Sequence, residues 1–146
     1  MQVNFNDIDT EKSFMLYEKG PQRVRIKSIE DVKASTGNNQ LRIKTEIIGG
    51  DYDGKQLTDH VTLVDSCEWK LGKFVAGCGL DIKSLGSMDK ESGAFRAMLN
   101  KLINKTSIWI VDQQADRNGN LRNTVADYQP DPDAKEIVED TPEFLE

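Results

Sequence analysis

The chain has 146 residues, 37% of them hydrophobic and 30% charged, with a formal net charge of −6. That length suits one domain around one core. The composition excludes helical membrane spans, because no stretch approaches the roughly 20 apolar residues a spanning helix needs.

Residues 1–19 show no strong periodicity and read as an N-terminal arm, with Phe5, Ile8, Phe14, Leu16 and Tyr17 apolar enough to pack on a body. No basic flank precedes an apolar run, so a secretory signal is not expected and a cytoplasmic location is. From Gln22 the residues alternate: Val24 and Ile26 point one way, Arg23, Arg25 and Lys27 the other. The apolar phase then slips to Ile29, which predicts a bulge near Lys27–Ser28. After a turn-rich loop at Ala34–Asn39, a second strand over Gln40–Ile48 sets Leu41, Ile43, Thr45 and Ile47 against Arg42, Lys44 and Glu46. The turn Gly49–Gly54 leads to a third strand over Lys55–Val64. Leu57, Val61 and Leu63 point inward there and Thr58, His60 and Thr62 outward, with Asp59 interrupting the apolar face.

The period then changes. Ser66 is placed to cap a helix over Cys67–Cys78 with a stripe of Leu71, Phe74, Val75 and Cys78, stopped by Gly79. Trp69 is expected in the core. Asp81–Ser92 reads as irregular and Ala94–Ile103 as a second short helix. A fourth strand, Lys105–Gln113, places Thr106, Ile108 and Ile110 on one side and Ser107, Trp109 and Val111 on the other. Asp116–Asn120 contains Asn-Gly, a hairpin signal, and a fifth strand covers Leu121–Tyr128.

The segment from Gln129 holds seven acids and one base and so carries the whole net charge. With sparse apolar residues it is expected to be disordered, leaving a near-neutral body over residues 20–128. A pI near 4.9 therefore does not argue against nucleic acid. Three strands, a helical excursion and two closing strands is the order of the OB-fold, a five-stranded Greek-key barrel. An SH3-like barrel or a small α+β sheet would also use these elements. The expected fold is thus mainly β: an OB barrel over residues 20–128 with a helical insertion between strands three and four, and an acidic tail over 129–146.

Three stretches carry a family resemblance. They are Val24-x-Ile-x-Ser-Ile-Glu-x-Val-Lys-Ala-Ser-Thr-Gly-Asn, Leu41-x-Ile-Lys-x-Glu-Ile-x-Gly-Gly-x-Tyr-x-Gly-Lys and Trp69-Lys-Leu-Gly-x-Phe-x-Ala-x-Cys-Gly. Together they resemble a phage and prophage family, formerly catalogued as a domain of unknown function, of single-stranded-DNA-binding proteins. Gly20-Pro-Gln22 stands where members favour Gly-x-Tyr. The resemblance implies an OB-fold that coats single strands during phage replication or recombination in the bacterial host cell.

The residues supply a matching chemistry. Arg23, Arg25, Lys27, Arg42 and Lys44 would share one outer face, extended by Lys33. Such a track neutralises phosphates and releases counterions without reading sequence. An ordinary solvated strand face would look the same, diluted by Glu30, Asp31 and Glu46. Trp109, Tyr128 (on the face of Arg122) and His60 are candidates for stacking on bases, although Trp109 and Val111 could instead cover the helices. The loops Lys33–Asn39 and Gln113–Asn120 would flank the binding face and add Arg117. The tail resembles the acidic, Pro-Phe-ended tips of bacterial single-strand-binding proteins. Asp140, Pro142, Glu143 and Phe144 are its expected contacts to replication or recombination proteins; a solubilising tail is the plain alternative. A protein-interaction module of OB type without nucleic acid is the other function these features allow.

Enzyme signals are absent. The sequence has no GxxxxGK[ST] loop and no HExxH. Asp116-Arg-Asn-Gly-Asn mimics part of a calcium loop, but Val125 stands where the bidentate Glu belongs. Cys67, Cys78 and His60 are too few for a structural zinc site, so no metal or cofactor is expected and the cysteines are expected as reduced thiols.

Overall fold

In the computed structural model, which describes residues 16–86, 88–90 and 92–133, the alternating stretches become five antiparallel strands. They are β1 (Gly20–Lys33), β2 (Asn39–Ile47), β3 (Gln56–Thr62), β4 (Thr106–Ala115) and β5 (Leu121–Pro130). Between β3 and β4 lie a single 3-10 turn (Asp65–Cys67) and three helices: α1 (Glu68–Gly77), α2 (Ile82–Leu85) and α3 (Gly93–Lys101). The sheet order is β3-β2-β1-β4-β5, so β1 is central and β3 and β5 are the edges. The expected closed barrel is corrected here: no backbone ladder joins β3 to β5, and the sheet stays open at that seam.

Alternation decides the inner face of the first strands. Val24, Ile26, Leu41, Ile43, Ile47 and Val61 are fully buried, while Arg23, Arg25, Arg42 and Lys44 stay partly accessible on the other side. The register of β1 on β2 passes from Ile26↔Thr45 to Ser28↔Lys44, so Lys27 is the extra residue of a bulge where the sequence places one. The helices cover one end of the inner face. Along α1, Phe74, Val75 and Cys78 turn into the core with Leu71 packed against it, and Gly79 (φ +95°) reverses the chain with its N–H on the Ala76 carbonyl. Ser66 does not cap α1, whose N-cap Cys67 makes no side-chain bond. The stretch expected to be irregular contains α2, capped by Asp81 on the Lys83 N–H, and the cap of α3, where Ser92 accepts from the Phe95 N–H at 3.1 Å.

One glycine is required by contact. At Gly77 an added Cβ would lie 2.9 Å from Tyr128 Cβ and 3.3 Å from the Tyr128 carbonyl carbon. Gly77→Ala should therefore destabilise the fold by about 1–3 kcal/mol despite alanine's better helix propensity. Urea unfolding measures this, and a variant as stable as wild type would contradict the close helix–strand contact.

Side chains bridge the open seam. Tyr128 of β5 donates its hydroxyl to the Asp59 carboxylate of β3, and Lys70 of α1 lies 3.4 Å from the same carboxylate. That pairing accounts for an acid within the apolar face of β3: burial of a carboxylate is tolerable when it is bonded and charge-matched. Tyr17 spans the other end, accepting at its backbone carbonyl from Gln113, donating its N–H to Asn123 Oδ1 at 2.9 Å and its hydroxyl to the Gln56 carbonyl at 2.6 Å. Among the described residues no helix is long and apolar enough to cross a membrane.

Candidate nucleic-acid interface

The outer face of β1 and β2 gathers the central cations of the expected track. Arg23 and Arg25 stand on β1, with Lys27 at the bulge and Arg42 and Lys44 on β2. His60 lies across from Arg42 and Thr58 across from Lys44 on β3. Five cations therefore share this surface with two strand carboxylates, Glu30 and Glu46, and with Asp131 and Asp133 beside Arg23. Glu30 Oε1 accepts from Arg42 Nε at 3.0 Å and lies 3.8 Å from Lys44 Nζ. Glu46 lies 3.8 Å from Lys27, and Arg25 donates to the Asn104 carbonyl at 3.1 Å. These exposed pairs are weak, of order 0–1 kcal/mol each, and a phosphate can replace the carboxylate.

His60 is exposed, and its pKa is held below the ordinary imidazole value. Desolvation is the main cause; Asp59 opposes it, while the Arg42 and Lys70 charges add to it. At neutral pH His60 is therefore an uncharged ring beside the cations.

Arg23 has a different environment. Its Nε lies 3.0 Å from Asp131 Oδ2, and its other guanidinium arm pairs with Asp133. Asp131 is buried, and its second oxygen accepts the Asp133 N–H at 3.0 Å. The start of the acidic segment thus folds back on the basic face. The sequence carries no local signal for this contact, which joins residues 108 and 110 positions apart.

The hairpin residues sit apart from the centre. Lys33 is at the β1–β2 end, donating to Asn39 Oδ1 at 3.0 Å. Arg117 and Arg122 are at the β4–β5 tip, which lies toward the opposite end of β1. There Asp116 accepts from the N–H groups of Asn118 and Asn120 and pairs with Arg122 at 2.9 Å. The bond from Arg122 is the main reason that the Asp116 carboxyl is held below its ordinary pKa.

Two expected stacking residues are corrected. Trp109 is fully buried and Tyr128 nearly so. They lie opposite each other on the inner face, edge-to-face with one another and with Phe74. For Trp109, both faces of β4 are apolar in sequence, and the ring fills the core while Ile108 and Ile110 take the outer side half-buried. For Tyr128, the register moves from Ile110↔Asp127 to Val111↔Val125, leaving Ala126 as an extra residue. That bulge flips the phase, so Tyr128 and Arg122 face opposite ways. Trp69, expected in the core, is instead 67% exposed. Asp140, Pro142, Glu143 and Phe144 lie outside the described residues.

Among the described residues no cluster of three or more His, Cys, Asp or Glu is placed to hold a metal ion. Both cysteines are free, and burial pushes the Cys78 thiol up to about 12, far from a nucleophile's range.

Comparison with known proteins adds a family without an activity. The chain belongs to the family described as "Protein of unknown function (DUF669)", whose model matches residues 3–136. No curated protein matches the chain.

Proposed function

We propose that this family member binds single-stranded DNA without sequence preference, through the outer face of β1, β2 and β3. The observation that carries the reading is the grouping of Arg23, Arg25, Lys27, Arg42 and Lys44 on one sheet face, where they outnumber Glu30 and Glu46 of the strands and the folded-back Asp131 and Asp133. Phosphate neutralisation on such a face releases counterions and tolerates any sequence. The strand order β3-β2-β1-β4-β5 supports an open, OB-like sheet, and OB-folds use this surface and the β1–β2 and β4–β5 loops for nucleic acid. The protein is then a non-catalytic coating factor of phage type, acting in replication or recombination in the bacterial cytoplasm. Its acidic tail recruits partner proteins.

The experiment is a titration of fluorescein-labelled oligo-dT followed by anisotropy. Binding that weakens steeply with salt is expected; no binding at low salt overturns the reading.

The tail has a second part in this proposal. Asp131 and Asp133 hold Arg23 as two phosphates would, so the segment competes with DNA for the face. Asp133→Asn, at the half-exposed carboxylate, and deletion of Asp131–Glu146 should each tighten oligo-dT binding, the deletion more. Unchanged affinity in both variants would remove the competing role.

A further inference from the structure

Apart from the exposed Trp69 and the half-exposed Tyr52, the aromatic side chains among the described residues are buried. Tyr17 packs against Tyr52 with tilted rings 4.7 Å apart, centroid to centroid, and Phe74, Trp109 and Tyr128 form a trio in the core. Trp69, in the first turn of α1, stays 67% exposed. A lone exposed leucine needs no account, but a solvent-facing indole forgoes the burial that draws tryptophan inward, and such rings commonly anchor a partner.

The surroundings say which partner. Lys70, the next residue, donates to the His60 carbonyl at 2.8 Å, and His60 stands across from Arg42 on the basic face. Lys73, one turn on and on the same side of the helix as Trp69, lies 2.6 Å from Asp127 of β5. The first half of α1 thus crosses the seam, Lys70 reaching His60 at the edge of the cationic face and Lys73 reaching β5, with the exposed ring beside Lys70 in sequence and on the Lys73 side of the helix. The acids preceding the ring, Asp65 and Glu68, both engage Lys90, at 3.7 and 3.1 Å.

We propose that Trp69 is the base-stacking platform of this protein: its indole takes the face of one nucleobase of a single strand whose phosphates run along Arg42 and Lys44. The inference rests on the function proposed above and adds the aromatic contact that the burial of Trp109 and Tyr128 withdraws. Stacking suits binding without sequence preference, because every base has a π face.

The protein carries its own probe. It has two tryptophans, and Trp109 is fully buried, so a change in indole emission on adding unlabelled oligo-dT reports Trp69. The expected result is saturable quenching in wild type that is lost in Trp69→Phe. Trp69→Ala should also show affinity weakened by about tenfold, within the range of stacking contacts, with an unchanged salt slope. Phenylalanine, which keeps a ring, should restore part of that affinity. Salt-sensitive anisotropy binding with unquenched emission, and Trp69→Ala as tight as wild type, would overturn the inference while leaving the DNA-binding function standing. No anisotropy binding at all would overturn that function and the inference with it.

Discussion

Trp109→Ala should lower the unfolding free energy by about 3–5 kcal/mol, the usual range for emptying a buried aromatic site. The indole is fully buried on the inner face of β4, 5.2 Å from the Tyr128 ring and 6.3 Å from the Phe74 ring, centroid to centroid. Its removal opens a cavity between the sheet and α1 that neither neighbour can fill without leaving its own contacts. Domains of this kind have roughly 5–15 kcal/mol in total, so the variant should approach marginal stability. Urea unfolding followed by circular dichroism measures the loss. Trp69→Ala is the internal comparison, expected within about 0.5 kcal/mol of wild type because its side chain is solvent-facing. Equal costs at the two positions would contradict the assignment of β4's faces.

The second large effect is on affinity. Arg42→Ala combined with Lys44→Ala removes two adjacent cations of β2 that share the Glu30 carboxylate. Each phosphate contact on a single strand contributes about 0.7 to the slope of log K against log salt. The double variant should therefore bind oligo-dT about ten- to a hundredfold more weakly at low salt, with a slope smaller by about 1.4. The loss should be uniform across sequences, since phosphate contacts carry no base information. Stability should hardly change, because exposed ion pairs contribute about 0–1 kcal/mol. Glu30→Gln is the opposite probe: it frees both cations from their carboxylate and should tighten binding. An unchanged affinity in the double variant would move the binding surface away from β2.

How much of this was legible follows from the residues. In β1 and β2 apolar and charged residues alternate cleanly, so Val24, Ile26, Leu41 and Ile43 declare the inner face and the phase slip at Ile29 declares the bulge. In β4 Ile108 and Ile110 compete with Trp109 and Val111, and alternation alone cannot choose between two apolar sides. In β5 an extra residue at Ala126 reverses the phase without any glycine or proline to mark it. The exposure of Trp69 and the pairing of Arg23 with Asp131 and Asp133 depend on where distant segments meet, which local patterns do not encode. Closure of the sheet is of the same kind: strand count and order were readable, but whether two edges share a ladder depends on what lies between them. Here that place is taken by Tyr128, Asp59 and the first half of α1.

The central claim is that the outer face of β1–β3 holds the phosphates of a single strand. The most direct measurement is the affinity of the wild-type chain for labelled oligo-dT over a series of salt concentrations, with duplex of equal length as competitor. The account predicts a linear fall of log K with log salt, with a slope of about −2 to −4 for three to five phosphates neutralised, and weak competition by duplex. Salt-independent affinity, or no binding at the lowest salt, would contradict it.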